Sequence, residues 1–141
     1  MLLLRRLLAA ICVAAFVSVG SGCVTSPAKV IKEACDPGSL VEVCAFGIYG
    51  TYAVLLEQSA DLVEDPNTDP VVVGAIKRFT QHSTPTMKLL RDSALEVEKA
   101  RKAYAAGTGT VEKLVIVSRE LTGWIAKGTS IVDRFRKLIG K

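Results

Sequence analysis

The 141-residue chain carries 18 Lys and Arg against 14 Asp and Glu, for a net charge of +4, and a single His. Setting aside Met1 to Gly22 removes Arg5 and Arg6, so Cys23 to Lys141 hold 16 basic and 14 acidic side chains in 119 residues: one ordinary domain, no room for a second, and an unremarkable overall charge. One histidine excludes a zinc site built on several.

Arg5 and Arg6 make a positive start, and Leu7 to Gly20 form an uncharged, mostly apolar stretch. A membrane-spanning helix needs about 20 apolar residues, and here small residues follow at once, so the segment reads as an export signal. Val19-Gly20-Ser21-Gly22-Cys23 resembles the lipobox of bacterial lipoproteins, with Gly20 where that family usually has Leu. The resemblance implies a diacylglycerol on the Cys23 thiol and cleavage before it. With Val24 rather than Asp next, it also implies sorting to the outer membrane. The alternative is ordinary signal cleavage near Gly22. The resemblance is confined to these first two dozen residues.

Cys12 leaves with the signal, and a lipidated Cys23 leaves Cys35 and Cys44 as an even pair in an oxidising compartment, where disulfides persist. A bridge across so short a loop stabilises by about 2–3 kcal/mol. Two unpaired, partly buried thiols are the alternative. Val24 to Asp36, interrupted by Pro27, reads as a tether, and the sixteen residues from Cys23 to Ser39 reach about 50 Å at most, enough for the domain to sit off the membrane. The expected division is a signal over 1–22, a lipidated N-terminus and tether over 23–38, and a helical domain over 39–141.

The first helix is expected to begin at Ser39, where Ser39-Leu40-Val41-Glu42 forms a capping box after Pro37-Gly38, and to run to about Glu64. Ile48, Tyr52, Leu55, Ser59 and Leu62 recur at steps of four and three, and Tyr49, Leu56 and Val63 widen that stripe. Asp65 to Pro70 breaks the chain, with Asp69 as N-cap and Pro70 as first helical residue. The second helix lines up Ile76, Thr80, Ser83, Met87, Leu90, Ala94, Val97 and Tyr104 and ends before Gly107. Pro85 removes a backbone hydrogen bond within it, predicting a kink or a split near His82 to Thr84.

Thr110 caps a third helix with Glu112 in its first turn. Val111, Leu114, Ser118, Leu121, Ile125, Gly128, Val132, Phe135 and Ile139 alternate steps of three and four, and Trp124, Ile131 and Leu138 extend the face. Gly123 and Gly128 each cost this helix about 1 kcal/mol relative to Ala, which predicts close approach of a neighbouring backbone. The fold class is therefore all-α, an antiparallel three-helix bundle, or four-helix if Pro85 splits the second element.

Residues 23–69 carry a net −6 and residues 101–141 a net +6. Either the first and last helices lie side by side with complementary flanks, or a basic surface of Arg134, Arg136, Lys137 and Lys141 faces anionic lipid or glycan. Other chemical motifs in the chain are mostly incomplete. Asp65-Pro66-Asn67-Thr68-Asp69 opens like a calcium loop, but Pro70 replaces the required Gly and Ile76 the bidentate Glu. His82 beside Ser83 and Thr84 suggests a hydrolytic base, yet neighbours on a helix diverge and no acidic orienter is evident. Gly107 to Thr110 lacks a following Gly-Lys-Ser/Thr for a phosphate loop. Phe79 and Phe135 are expected to face the core while Lys77, Arg78, Arg134 and Arg136 solvate.

The expected function is thus that of a non-enzymatic, lipid-anchored envelope protein serving as an interaction or structural module. No catalytic residue, metal or cofactor is expected. The partners are the membrane, through the N-terminal lipid, and an envelope protein, and not nucleic acid. The alternatives are anionic-surface binding through the basic C-terminal helix and hydrolysis using His82. In helix order and size alone the chain is similar to prophage-type three-helix lipoproteins, which would imply a host-envelope or phage-exclusion role.

Overall fold

The computed structural model describes Ile31, Cys35 and residues 40–140; the signal segment, Cys23, Ser39 and Lys141 lie outside the described residues. Three helices form the domain, α1 (Val41–Glu64), α2 (Pro70–Ala105) and α3 (Val111–Ile139), and each packs against the other two. The chain runs up, down and up, so α2 is antiparallel to both neighbours and α1 and α3 lie parallel. The all-α, three-helix arrangement is the one the apolar periodicity predicts.

Apolar stripes from all three helices meet on one axis. Ile48, Tyr52 and Leu55 of α1, Met87, Leu90 and Val97 of α2, and Leu121, Val132 and Phe135 of α3 are almost fully withdrawn from water. Each such side chain contributes about 1.5–3 kcal/mol by leaving water. Phe135 sits at a three-way contact, its ring centroid 5.8 Å from Tyr52 and 5.0 Å from Phe79. Lys77, Arg78 and Arg134 stay exposed beside these rings, as the sequence predicts, whereas Arg136, also expected to solvate, is mostly buried.

Two of the three helix starts follow their local signals. Asp69 Oδ1 accepts from Val71 N at 2.8 Å with Pro70 in the first turn, and Thr110 Oγ1 accepts from Lys113 N at 3.3 Å. The third differs: α1 begins at Val41 with Leu40 at the cap and no side-chain cap bond. Glu42, read as the returning arm of a capping box, instead points across to α2, where a guanidinium offers it two charge-assisted hydrogen bonds.

Pro85 does not split α2, which runs unbroken for 36 residues, so the four-helix alternative falls away. Pro85 faces solvent while Ser83, Met87 and Leu90 on the inner face are buried. Packing on both sides of the proline thus offsets the roughly 3 kcal/mol that an interior proline costs. Gly128 does meet close neighbours, though side chains rather than the expected backbone: a Cβ there would lie 2.7 Å from Leu90 Cδ2 and 3.1 Å from Ile48 Cγ2. Gly123 does not, because a Cβ there meets nothing within 4 Å.

The helices are offset in height. Gly128 is level with Ile48 and Leu90, so α1, starting seven residues before Ile48, begins level with Leu121. Residues 111–120 of α3 and the matching end of α2 therefore project about 15 Å beyond it, at 1.5 Å per residue. This explains two departures from the predicted stripes: Tyr104 and Val111 are 51% and 49% exposed because α1 stops short of them.

Cys35 and Cys44 are disulfide-bonded, with Cα atoms 4.5 Å apart. Cys35 N donates to the Ile31 carbonyl at 2.9 Å, and Ile31 packs against the core. Part of the segment read as a free tether is thereby attached to the domain. The span from Cys23 to Ile31 is eight residues, which reaches about 28 Å at most, not 50 Å.

Candidate functional site

The strongest polar contact between helices joins Glu42 of α1 to Arg101 of α2. Arg101 Nε donates to Oε1 at 2.6 Å and its Nη2 to Oε2 at 3.0 Å, with the Glu42 side chain 5% exposed and that of Arg101 38% exposed. Burial alone would raise the Glu42 pKa; the hydrogen bonds and charge of Arg101, with a backbone hydrogen bond, outweigh it and hold the carboxyl below its ordinary value. Glu42 in turn raises Arg101. The two residues are 59 positions apart, and no local motif links them.

A second cluster lies deeper. The Tyr52 hydroxyl is 2.8 Å from Ser83 Oγ and 3.0 Å from Thr84 Oγ1, while Ser83 donates to the Phe79 carbonyl and Thr84 to the Thr80 carbonyl. With both of those protons committed to backbone, Tyr52 supplies the proton to the cluster. It fastens α1 to α2 next to Pro85. Tyr52 and Ser83 were legible as core positions, but not as partners.

His82 stands apart from these hydroxyls. Its ring is exposed and Nδ1 donates to the Arg78 carbonyl at 2.8 Å, whereas Ser83 is buried and bonded elsewhere. The structure does not bring base and hydroxyl together. Asp65 and Asp69 likewise serve the turn between α1 and α2: Asp65 Oδ1 accepts from Asn67 N at 2.9 Å and Nδ2 at 3.1 Å, and Asp69 caps α2. Among the described residues no group of three His, Cys, Asp or Glu side chains is placed to hold a metal ion.

Of the four cations singled out near the C-terminus, the three that the structure describes differ in exposure. Arg134 and Lys137 are exposed, three residues apart on one face of α3. Arg136 is mostly buried, its side chain 17% exposed, with Nη1 3.6 Å from Asp133 and Nη2 buried without a hydrogen-bond partner among the described residues. Lys141 lies outside the described residues. Acidic α1 and basic α3 do lie side by side, yet among the described residues the ion pair joining two helices is Glu42–Arg101, between α1 and α2.

The projecting end of the α2–α3 hairpin carries a feature the periodicity did not single out. Tyr104, Val111, Val115 and Ile116 are each about half exposed, at 51%, 49%, 50% and 56%. Lys102 and Lys113 are exposed among them. The surplus of apolar residues in Leu114-Val115-Ile116-Val117 was the available signal, since a helix packed on one side cannot bury four in a row. No helix among the described residues is long and apolar enough to cross a membrane. Comparison with protein-family models, with curated proteins and with solved structures finds no match for this chain.

Proposed function

We propose that the protein is a non-enzymatic, lipid-anchored envelope protein, held on the outer membrane by acyl chains at Cys23 and facing the periplasm, whose bundle serves as an interaction or structural module. The observation that carries this reading is the Cys35–Cys44 disulfide. Such bonds persist in oxidising compartments, in keeping with export by the N-terminal signal. With those two cysteines paired and Cys12 in the signal, Cys23 is the remaining thiol, at the position where the lipobox resemblance calls for acylation.

Mass spectrometry of the membrane-extracted protein tests the anchor. The expected species begins at Cys23 and carries acyl chains, and Cys23→Ser should leave the signal uncleaved. A mature chain with a free, unacylated N-terminus, or an acyl-free chain retaining Met1, would overturn the reading.

Anionic-surface binding remains the second reading, supported by the exposure of Arg134 and Lys137. These lie at the end of the bundle away from the start of α1, so an anionic surface they met would be other than the bilayer nearest the anchor. Salt-sensitive binding to anionic glycan or vesicles, lost in an Arg134→Glu/Lys137→Glu variant, is its expected signature. Salt-independent binding would count against it.

A further inference from the structure

Ile31 and Cys35, the described residues that precede α1, are fastened to the end of the domain that also carries the exposed apolar tip. We infer that the tip of the α2–α3 hairpin, formed by Tyr104, Val111, Val115 and Ile116, rests in the headgroup region of the bilayer that holds the lipid, orienting the domain tip-down. The inference rests on the lipid-anchor reading.

Three observations converge. First, Ile31 packs on the core one helical turn before Cys35, which is bonded to Cys44 in the first turn of α1. The leash therefore starts near the top of α1, and its eight residues reach about 28 Å at most whatever path they take. Second, the tip projects about 15 Å beyond that starting level, toward the same side. On so short a leash the tip is the part of the domain that meets the bilayer first.

Third, the chemistry suits an interface. Val111, Val115 and Ile116 supply apolar surface, and the half-exposed Tyr104 is a residue type that gathers where one end of a ring is wet and the other is not. Lys102 is 75% exposed and Lys113 stands one turn from Ile116, both with stems long enough to lift a charge to phosphate level while the neighbouring side chains insert.

The test uses the full-length protein, purified from membranes and reconstituted in phosphatidylcholine–phosphatidylglycerol vesicles with or without bromine on the acyl chains. Trp124 is replaced by Phe, and a single Trp is placed at the tip (Ile116→Trp) or on the distant flank of α1 (Val54→Trp). Tip fluorescence should fall about twofold in brominated vesicles, as for a side chain buried 5–10 Å into the interface, while the flank probe stays unquenched. Acylated protein whose tip Trp is not quenched would overturn the tip inference and leave the anchor standing. Protein without acyl chains would overturn both. An unquenched tip in a dimer that Ile116→Glu dissociates would assign the tip to a second copy of the chain, and so overturn it as well.

Discussion

Burial strips the Glu42 carboxylate of water, which by itself would favour its protonated form; the paired N–H donors of Arg101 reverse that balance. Because the folded pKa lies below the ordinary value of 4.5, the folded state binds fewer protons than the unfolded one. The pair's contribution is complete above that value and is lost as pH falls through the folded value. Urea midpoints measured from about pH 6 to about pH 3 should therefore decline, and the decline should flatten or invert in Arg101→Ala, where burial alone acts on the carboxyl. At neutral pH Arg101→Ala is expected to cost about 1.5–3 kcal/mol. By contrast Lys102→Ala, which removes a 75% exposed partner of Glu98, should cost a few tenths, about 0.5 kcal/mol at most. Tyr52→Phe deletes one proton from a cluster whose other hydroxyls stay bonded to backbone carbonyls. A loss of about 1 kcal/mol in chemical denaturation, with the fold intact, is the expected result.

Within the helices, the two glycines of α3 look alike in sequence and differ in the bundle. Gly123→Ala adds a methyl to open space and should stabilise by up to about 1 kcal/mol. Gly128→Ala drives one against Leu90 and Ile48, both fully buried and unable to move aside, and should destabilise by about 1–2 kcal/mol net of its helix preference. Opposite shifts in thermal midpoint for the two variants are the outcome to look for. Pro85 is a separate case, since α2 continues through it despite the missing N–H. Pro85→Ala restores a donor to the Gln81 carbonyl on the solvent side and should raise stability by about 1–3 kcal/mol. An unchanged midpoint would mean that the helix has already adapted at no cost.

For the molecule as a whole, the unequal heights of the helices matter most. Because α1 is the shortest element, the α2–α3 hairpin stands clear of it and exposes apolar positions that any packed neighbour would have covered. The Cys35–Cys44 bond fastens the incoming chain to the first turn of α1 and closes a short loop. Its removal in a Cys35→Ser/Cys44→Ser variant should cost about 2–3 kcal/mol by urea denaturation. The same variant lengthens the free leash, so the tip should also lose its preferred orientation at a vesicle surface.

The parts of this protein readable from sequence are those whose physics closes within a turn or two of chain. The Asp69 and Thr110 caps, the break at Asp65 to Pro70, and the three-and-four spacing of Ile48, Tyr52 and Leu55 or of Leu121, Val132 and Phe135 each depend on near neighbours alone. An even cysteine pair was likewise countable. What required the tertiary structure is everything set by how the helices slide past one another. That includes the diversion of Glu42 from its own N-terminus to Arg101 59 residues away, the Tyr52–Ser83 contact, and the continuity of α2 through Pro85. It also includes the exposure of Tyr104 and Val111. An apolar period says which face of a helix turns inward, but not how far along its length a partner continues. The offset between elements is a balance of contacts distant in sequence, and it alone decides where a buried stripe becomes a surface.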